Sequence, residues 1–272
     1  MKKNKLSSLA DKPYLVWSIL FIIAPLLMVA YYALTDKSGA FSLASVEQIP
    51  TYITTILLSV LYGVAATAIC LVLGFPFAYI FSKAPQKYKN LVVLLVMLPM
   101  WMNFLLRTLA WQTLLEKNGV INQVLHFFHL PTLQLINTPY AIVLGMVYNF
   151  LPFMVLPLYN VLSKIDKDVI SAARDLGATE LYTFRKIIFP LSIPGVVSGI
   201  IMVFVPALTT FVISDLLGGS KILLIGNVIE QKFKQGSNWN VGSGLSLVLM
   251  VFILISMVIT TKYDKNGEGG MF

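Results

Sequence analysis

The sequence predicts an all-α polytopic membrane protein with six transmembrane helices, both termini in the cytoplasm, and one polar cytoplasmic segment between the fourth and fifth helices. Three observations lead there. Of 272 residues, 57% are hydrophobic and only 12% charged, and the mean hydropathy of +0.81 lies far outside the range of a water-soluble domain. The apolar residues fall in runs of about twenty, the length that crosses ~30 Å of hydrocarbon. These runs lack the strict alternation of barrel strands, so helices are the way their backbone groups are satisfied in lipid. Finally, Lys and Arg are unevenly shared among the polar breaks.

The first run, residues 15–35, follows Lys2, Lys3, Lys5 and Lys12. It is longer than a signal-peptide core and has no Ala-x-Ala site at its end, so a retained span is expected. Further spans fit residues 53–81, 91–115, 140–162, 187–213 and 242–261, and the chain 1–272 reads as one transmembrane domain. With the N-terminus inside, the inner segments hold four, three, five and two Lys or Arg, and the outer side holds six, Arg107 among them. That excess places both termini in the cytoplasm. Pro25, Pro76, Pro99, Pro152, Pro157, Pro190, Pro194 and Pro206 each remove a backbone donor within or beside a span. Kinked helices around a cavity and the ordinary abundance of proline in membrane helices both account for them. Gly195 and Gly199 form a small-x-x-x-small step that admits a neighbouring helix. Cys70, the single cysteine, has no disulfide partner and is expected to be packed.

Composition also excludes functions. The net charge of +8 is explained by basic loops at a membrane, with no need for nucleic acid. Spans one, two, four, five and six carry no ionisable residue in their central turns. A proton- or sodium-driven carrier would want carboxylates there, so the energy source is expected outside this chain. Gly218-Gly219-Ser220-Lys221 is too short for a phosphate-binding loop and is expected on the outer side, so ATP hydrolysis by that route is excluded. No catalytic residue and no metal site are expected, since His126 and His129 stand without a cysteine or carboxylate cluster. An ATP-independent carrier or channel remains the alternative from another class.

The polar segment 166–186 is the one stretch that must meet something in water. At helical spacing, Val169, Ile170, Ala173, Leu176, Gly177, Leu181 and Phe184 gather on one side, and Ser171, Arg174, Asp175, Tyr182 and Arg185 on the other. Asp166 can cap the start, and Gly177 can break the segment into two short helices. Periodicity alone fits both an amphipathic linker lying on the membrane and a docking helix.

The order of residues says more. Ser171-Ala172-Ala173, three residues, Gly177, nine residues, Ile187, one residue, then Phe189-Pro190 resembles the cytoplasmic motif of ABC importer permeases. That motif runs Glu-Ala-Ala, three, Gly, nine, Ile, one, Leu-Pro. The resemblance implies a type I importer permease fold in which this segment is the coupling helix received by a groove of the ATP-hydrolysing subunit. It makes Ser171, Ala172, Ala173, Arg174, Asp175, Leu176, Gly177, Phe184 and Pro190 the coupling residues. Ser171 stands where the family has Glu, and Phe189 where it has Leu.

Further resemblance runs through Leu98-Pro99-Met100-Trp101-Met102-Asn103 with Arg107, through Tyr148-Asn149-Phe150-Leu151-Pro152, and through Ser214-Asp215-Leu216-Leu217-Gly218-Gly219 with Leu224-Ile225-Gly226-Asn227. These stretches are similar to spermidine/putrescine permeases of the PotB type, over roughly residues 15–262. The likeness implies a bacterial cytoplasmic membrane, a second homologous permease, two ATP-binding subunits holding ATP and Mg, and an extracytoplasmic polyamine-binding protein. No cofactor is implied on this chain. A permease for an amino acid, sugar or inorganic ion is the alternative within the same class. An aliphatic polycation wants aromatic faces, amide oxygens and carboxylates. Trp101, Asn103, Tyr148, Asn149, Tyr159 and Asp215 are the pathway candidates. Interfacial aromatics equally form a belt at the lipid boundary, and Asp215 can order the glycine turn beside it. Arg107 can repel cations, pair with a carboxylate or snorkel to the outer interface, and a structural pairing is the favoured expectation.

Overall fold

Long apolar helices with proline and glycine at their bends account for almost all of the architecture. The computed structural model describes residues 13–36, 38–219, 221–234 and 238–261. The N-terminal lysines, Lys37, Ser220, Lys262 and Lys265 lie outside them. Five helices are long and apolar enough to cross a membrane, or six if one bent pair is counted as a span. We number the elements used below as α1 (Pro13–Ala33), α2 (Ile53–Ser82), α3 (Gln86–Met97), α4 (Phe104–Leu115), α5 (Val120–Phe127), α6 (Pro139–Leu162), α7 (Lys167–Asp175), α8 (Glu180–Thr209), α9 (Val212–Gly218), α10 (Ile225–Lys234) and α11 (Trp239–Thr261).

Two expectations change. The run 91–115 is not one helix, because its two halves are bent by 81°. Pro99 lies in a 3₁₀ turn, Leu98–Trp101, after which Met102 is extended. Asn103 then starts α4 by accepting from the Leu105 and Leu106 N–H groups at 2.8 and 3.3 Å. The fifth span begins earlier than residue 187: α8 starts at Glu180, passes through a π turn at Phe184–Ile188, and ends at Thr209. Thr210 turns extended, and Asp215 therefore sits on a separate short helix, α9.

The chain forms two units. The first holds residues 1–54 and 228–252. There, Asn240 Nδ2 donates to the carbonyls of Tyr32 and Thr35 at 3.1 and 2.7 Å, satisfying groups that the end of α1 leaves open. Asp36 closes the next turn, accepting from the Ser38 and Ala40 N–H groups at 2.8 and 3.2 Å. The Ser38 hydroxyl and these N–H groups hold its carboxyl below the usual value.

The second unit holds residues 55–227 and 253–272, with α6 at its centre. Ile142, Met146, Met154 and Leu158 are fully buried on α6. α8 packs against it where Gly199 would place a Cβ 2.6 Å from the Met154 sulfur, and Gly195 one 3.0 Å from the Pro157 carbonyl. Gly74 of α2 faces Met154 and Val155, and Gly145 faces Leu217 and Ile213 of α9. Small residues thus set how closely the helices approach, as expected where lipid supplies no hydrophobic driving force between them. Cys70 is buried in this core, near the Val147 carbonyl.

Candidate functional site

The segment after α6 is built by three successive caps. Asp166 accepts from the Asp168 N–H at 2.9 Å and opens α7. The helix closes with the Ala178 N–H donating to the Ala173 carbonyl at 3.0 Å and the Gly177 N–H to the Arg174 carbonyl at 2.8 Å. That pair of bonds needs a left-handed residue between them, which Gly177 provides at φ +80°. Thr179 then caps α8 through the Tyr182 N–H at 3.3 Å, and Arg174 pairs with Glu180 at 2.5 Å across the corner.

This geometry sorts the coupling residues. Ala173 is buried and Phe184 half-buried, the latter with its ring edge-on to Phe75 at 5.6 Å and to Tyr79 at 5.7 Å. Ile188 is buried beneath them. Ser171, Ala172, Arg174, Asp175, Leu176 and Gly177 are exposed. Leu176 is 89% exposed, and Leu181 and Tyr182 lie open beside it in sequence. Pro190 follows the π turn, at the start of the long apolar stretch Phe189–Thr209 of α8. Apolar periodicity could not separate Ala173 and Phe184, which face this chain, from Leu176 and Leu181, which do not. Phe75 and Tyr79, the floor under Phe184, gave no signal because they lie in an unbroken apolar run.

The pathway candidates are not one cluster. Asn103 is engaged as the α4 cap. Trp101 is exposed, and Tyr148 meets Trp111 edge-on at 5.2 Å. Asn149 is buried, its Nδ2 donating to the Gly145 carbonyl at 2.9 Å while its Oδ1 has no partner among the described residues. Tyr159 is buried three turns further along α6, about 16 Å from Tyr148 at 1.5 Å per residue. Asp215 is exposed on α9. The loop after it is ordered by Asn227, whose Oδ1 accepts from Ser214 and from the Leu224 N–H at 3.1 Å, and whose Nδ2 donates to the Phe211 carbonyl at 3.0 Å. Asn137 seats against Gly219 and donates its N–H to the Leu217 carbonyl at 2.9 Å.

Among the described residues, no carboxylate is seen paired with Arg107. Its side chain is 7% exposed on α4, and neither Nε nor Nη1 has a hydrogen-bond partner among the described residues. Phe104 and Trp111, one turn to either side, contact Phe150 and Tyr148 of α6. These two contacts bracket Arg107 on α4 and Asn149 on α6, and Asn149 also carries an unmatched polar atom.

Comparison with known proteins agrees with the motif. The family model for the binding-protein-dependent transport system inner membrane component matches residues 4–265. The chain is 36% identical to the spermidine/putrescine transport system permease protein PotB of Haemophilus influenzae, over 97% of this chain and 95% of that protein. It is 37% identical to PotB of Escherichia coli, over 92% and 94%. Among solved structures, a bacterial ABC transporter involved in import of the polysaccharide alginate superposes with a TM-score of 0.75 at 16% identity, covering 96% of each chain. The MetNI methionine ABC transporter gives 0.60 at 15%, over 80% of this chain and 97% of that one. These two likenesses carry the fold.

Proposed function

Because the chain belongs to the family of binding-protein-dependent transport system inner membrane components, we propose that it is the permease subunit of an ATP-driven importer for the polyamines spermidine and putrescine. The relatives bearing that name, at 36% and 37% identity over nearly their whole length, support the substrate class. The chain translocates and performs no covalent chemistry. In this reading it crosses the bacterial cytoplasmic membrane with both termini inside and forms half of the pathway. A second, homologous permease forms the other half. Two ATP-binding subunits hydrolyse Mg-ATP, and an extracytoplasmic polyamine-binding protein delivers the cargo.

The observation that carries the coupling role is Leu176, open to solvent at 89% on a corner whose backbone is fixed on both sides. A groove on the ATPase that receives Leu176, Leu181 and Tyr182 removes apolar surface from water. Movement of that corner has two rigid outlets. One is α8, which runs on from Glu180 to Thr209; the other is α2, held through Phe184 on Phe75 and Tyr79. Closure of the ATPases on segment 166–186 is thereby converted into displacement of two spans, the alternate opening that a permease needs. Of the pathway candidates, Trp101, Tyr148 and Asp215 are exposed and could meet a polycation, while Asn149 and Tyr159 are buried.

The complete complex, reconstituted in liposomes with Mg-ATP, tests this. Leu176→Asp is expected to leave the chain folded, release the ATPase and abolish spermidine uptake. Unchanged ATPase retention and uptake would refute the coupling role. Failure of excess polyamine to compete for uptake, with sugars or amino acids competing instead, would refute the substrate and leave the coupling role standing.

A further inference from the structure

Helix α5 buries one side chain fully and leaves an apolar stripe open. Its most buried side chain is polar: Asn122, 2% exposed, accepts from the Leu133 N–H at 2.8 Å and donates to the carbonyls of Leu133 and Glu116 at 3.0 and 3.2 Å. Its open stripe is apolar. Val120, Val124 and Phe127 follow each other at helical spacing, all exposed, Phe127 at 77%, and Phe128, Leu130 and Leu133 continue the exposed surface beyond the helix. Such a stripe in contact with water is unfavourable, so something apolar covers it.

We propose that this stripe lies in the boundary between lipid headgroups and acyl chains, making residues 116–133 an interfacial anchor at that end of the spans. Continuity is the first reason. α4, which leads into the loop, exposes Leu105, Leu106 and Leu109, and α6, which leaves it, exposes Tyr140 at 85% in its first turn. These are helices of the membrane-spanning set, so the α5 stripe extends a surface that lipid already covers. Position is the second. Gly119 folds the chain so tightly on the end of α4 that a Cβ would sit 2.5 and 2.6 Å from the Thr113 and Leu114 carbonyls, which keeps α5 against the ends of the spans. The Asn122 bonds and His129, left-handed at φ +58° with the Leu130 N–H donating to the Leu125 carbonyl at 2.9 Å, fix the return. The third reason is chemistry. The stripe offers no charged group to a protein partner, while Lys117, Gln123 and His126 are exposed at its margins, where headgroups meet water. Aromatic residues with a basic margin are what a helix lying in the interface carries.

The test uses the complete complex in phosphatidylcholine–phosphatidylglycerol liposomes, with a nitroxide label attached at Val124→Cys, Phe127→Cys, Phe128→Cys or, separately, Gln123→Cys. Cys70 is buried, and the chain without an added cysteine is the labelling control. Collisions with dissolved oxygen are expected to exceed those with a water-soluble nickel chelate several-fold at positions 124, 127 and 128, with the reverse order at 123. Free nickel access at all four positions would overturn the proposal. So would labels at 124 and 127 that neither reagent reaches, since that marks a protein cover, or labels that become immobile only when the binding protein is added. Phe128→Cys lies outside α5 and keeps the outcome decisive if a label within the helix disturbs it. No substrate enters the measurement, so its result is independent of the polyamine assignment.

Discussion

Gly199 and Gly177 are the same residue under opposite demands. At Gly199 the backbone permits any side chain but the space does not, because the Met154 sulfur lies 2.6 Å from where a Cβ would stand. At Gly177 nothing lies within 4 Å, but φ is +80°, where side chains are strained. The membrane seam is therefore specified by volume, and the corner after α7 by handedness. Their surroundings differ accordingly. Near Gly199, Met154 and Val203 are buried within this chain; beside Gly177, Leu176 is turned out to solvent.

Substitution separates the two demands. The largest effect is expected at the seam: Gly199→Leu forces α6 and α8 apart at a cost of about 3 kcal/mol or more, seen as a lowered melting temperature in detergent and loss of membrane-inserted protein. Unchanged melting would mean the seam is not set by close approach. Next comes Gly177→Leu, whose left-handed strain of about 1–2 kcal/mol falls on an exposed corner. Helix content and melting are expected to stay close to those of the parent chain, while ATPase co-purification and uptake fall at least several-fold. Gly177→Asn, which tolerates the left-handed region, is expected to recover most of both. Equal failure of Leu and Asn would shift the explanation from handedness to space on the docking surface.

Arg107→Met tests volume against charge inside the second unit. The guanidinium is buried with Nε and Nη1 unpartnered among the described residues, so exchanging it for an apolar side chain of similar length is expected to leave melting unchanged or raise it. A fall in melting would reveal a partner supplied by the assembled complex. The smallest effect belongs to Asp36, a turn held by an exposed carboxylate. Hydrogen bonds from Ser38 lower its pKa, so its contribution is complete above the ordinary carboxylate value of ~4 and is lost as pH falls through the lowered folded value. Amide exchange at Ser38 and Ala40 is expected to quicken over that interval in the parent chain, and to be uniformly fast in Asp36→Asn.

Much of this could be read from the sequence because lipid is a stringent solvent. Runs of apolar residues with nothing to satisfy their backbone but themselves must be helices, and five of the expected runs overlap helices long and apolar enough to cross a membrane, the one expected at 187–213 starting already at Glu180. The motif from Ser171 to Pro190 likewise located the corner, since a capping Asp166 and a left-handed glycine are local requirements. The bend within the third run is not legible in the sequence, because hydropathy does not register the 3₁₀ turn at Pro99 or the Asn103 cap that restarts the helix. Asn103 is a pathway candidate by residue type, and only the structure shows its Oδ1 accepting from the α4 backbone.

What the sequence determined by itself is therefore the class of molecule and the place of its polar corner in the chain, since both follow from transfer free energy and from backbone chemistry acting over a few residues. What only the tertiary structure decided is which member of each apolar pattern turns inward. Ala173 and Phe184 are packed against this chain, while Leu176 and the Val120, Val124 and Phe127 stripe are left for something else. A helical period gives two faces without saying what each one meets. That depends on helices distant in sequence, such as α2 beneath Phe184, and on a buried asparagine that draws one apolar helix onto its polar side.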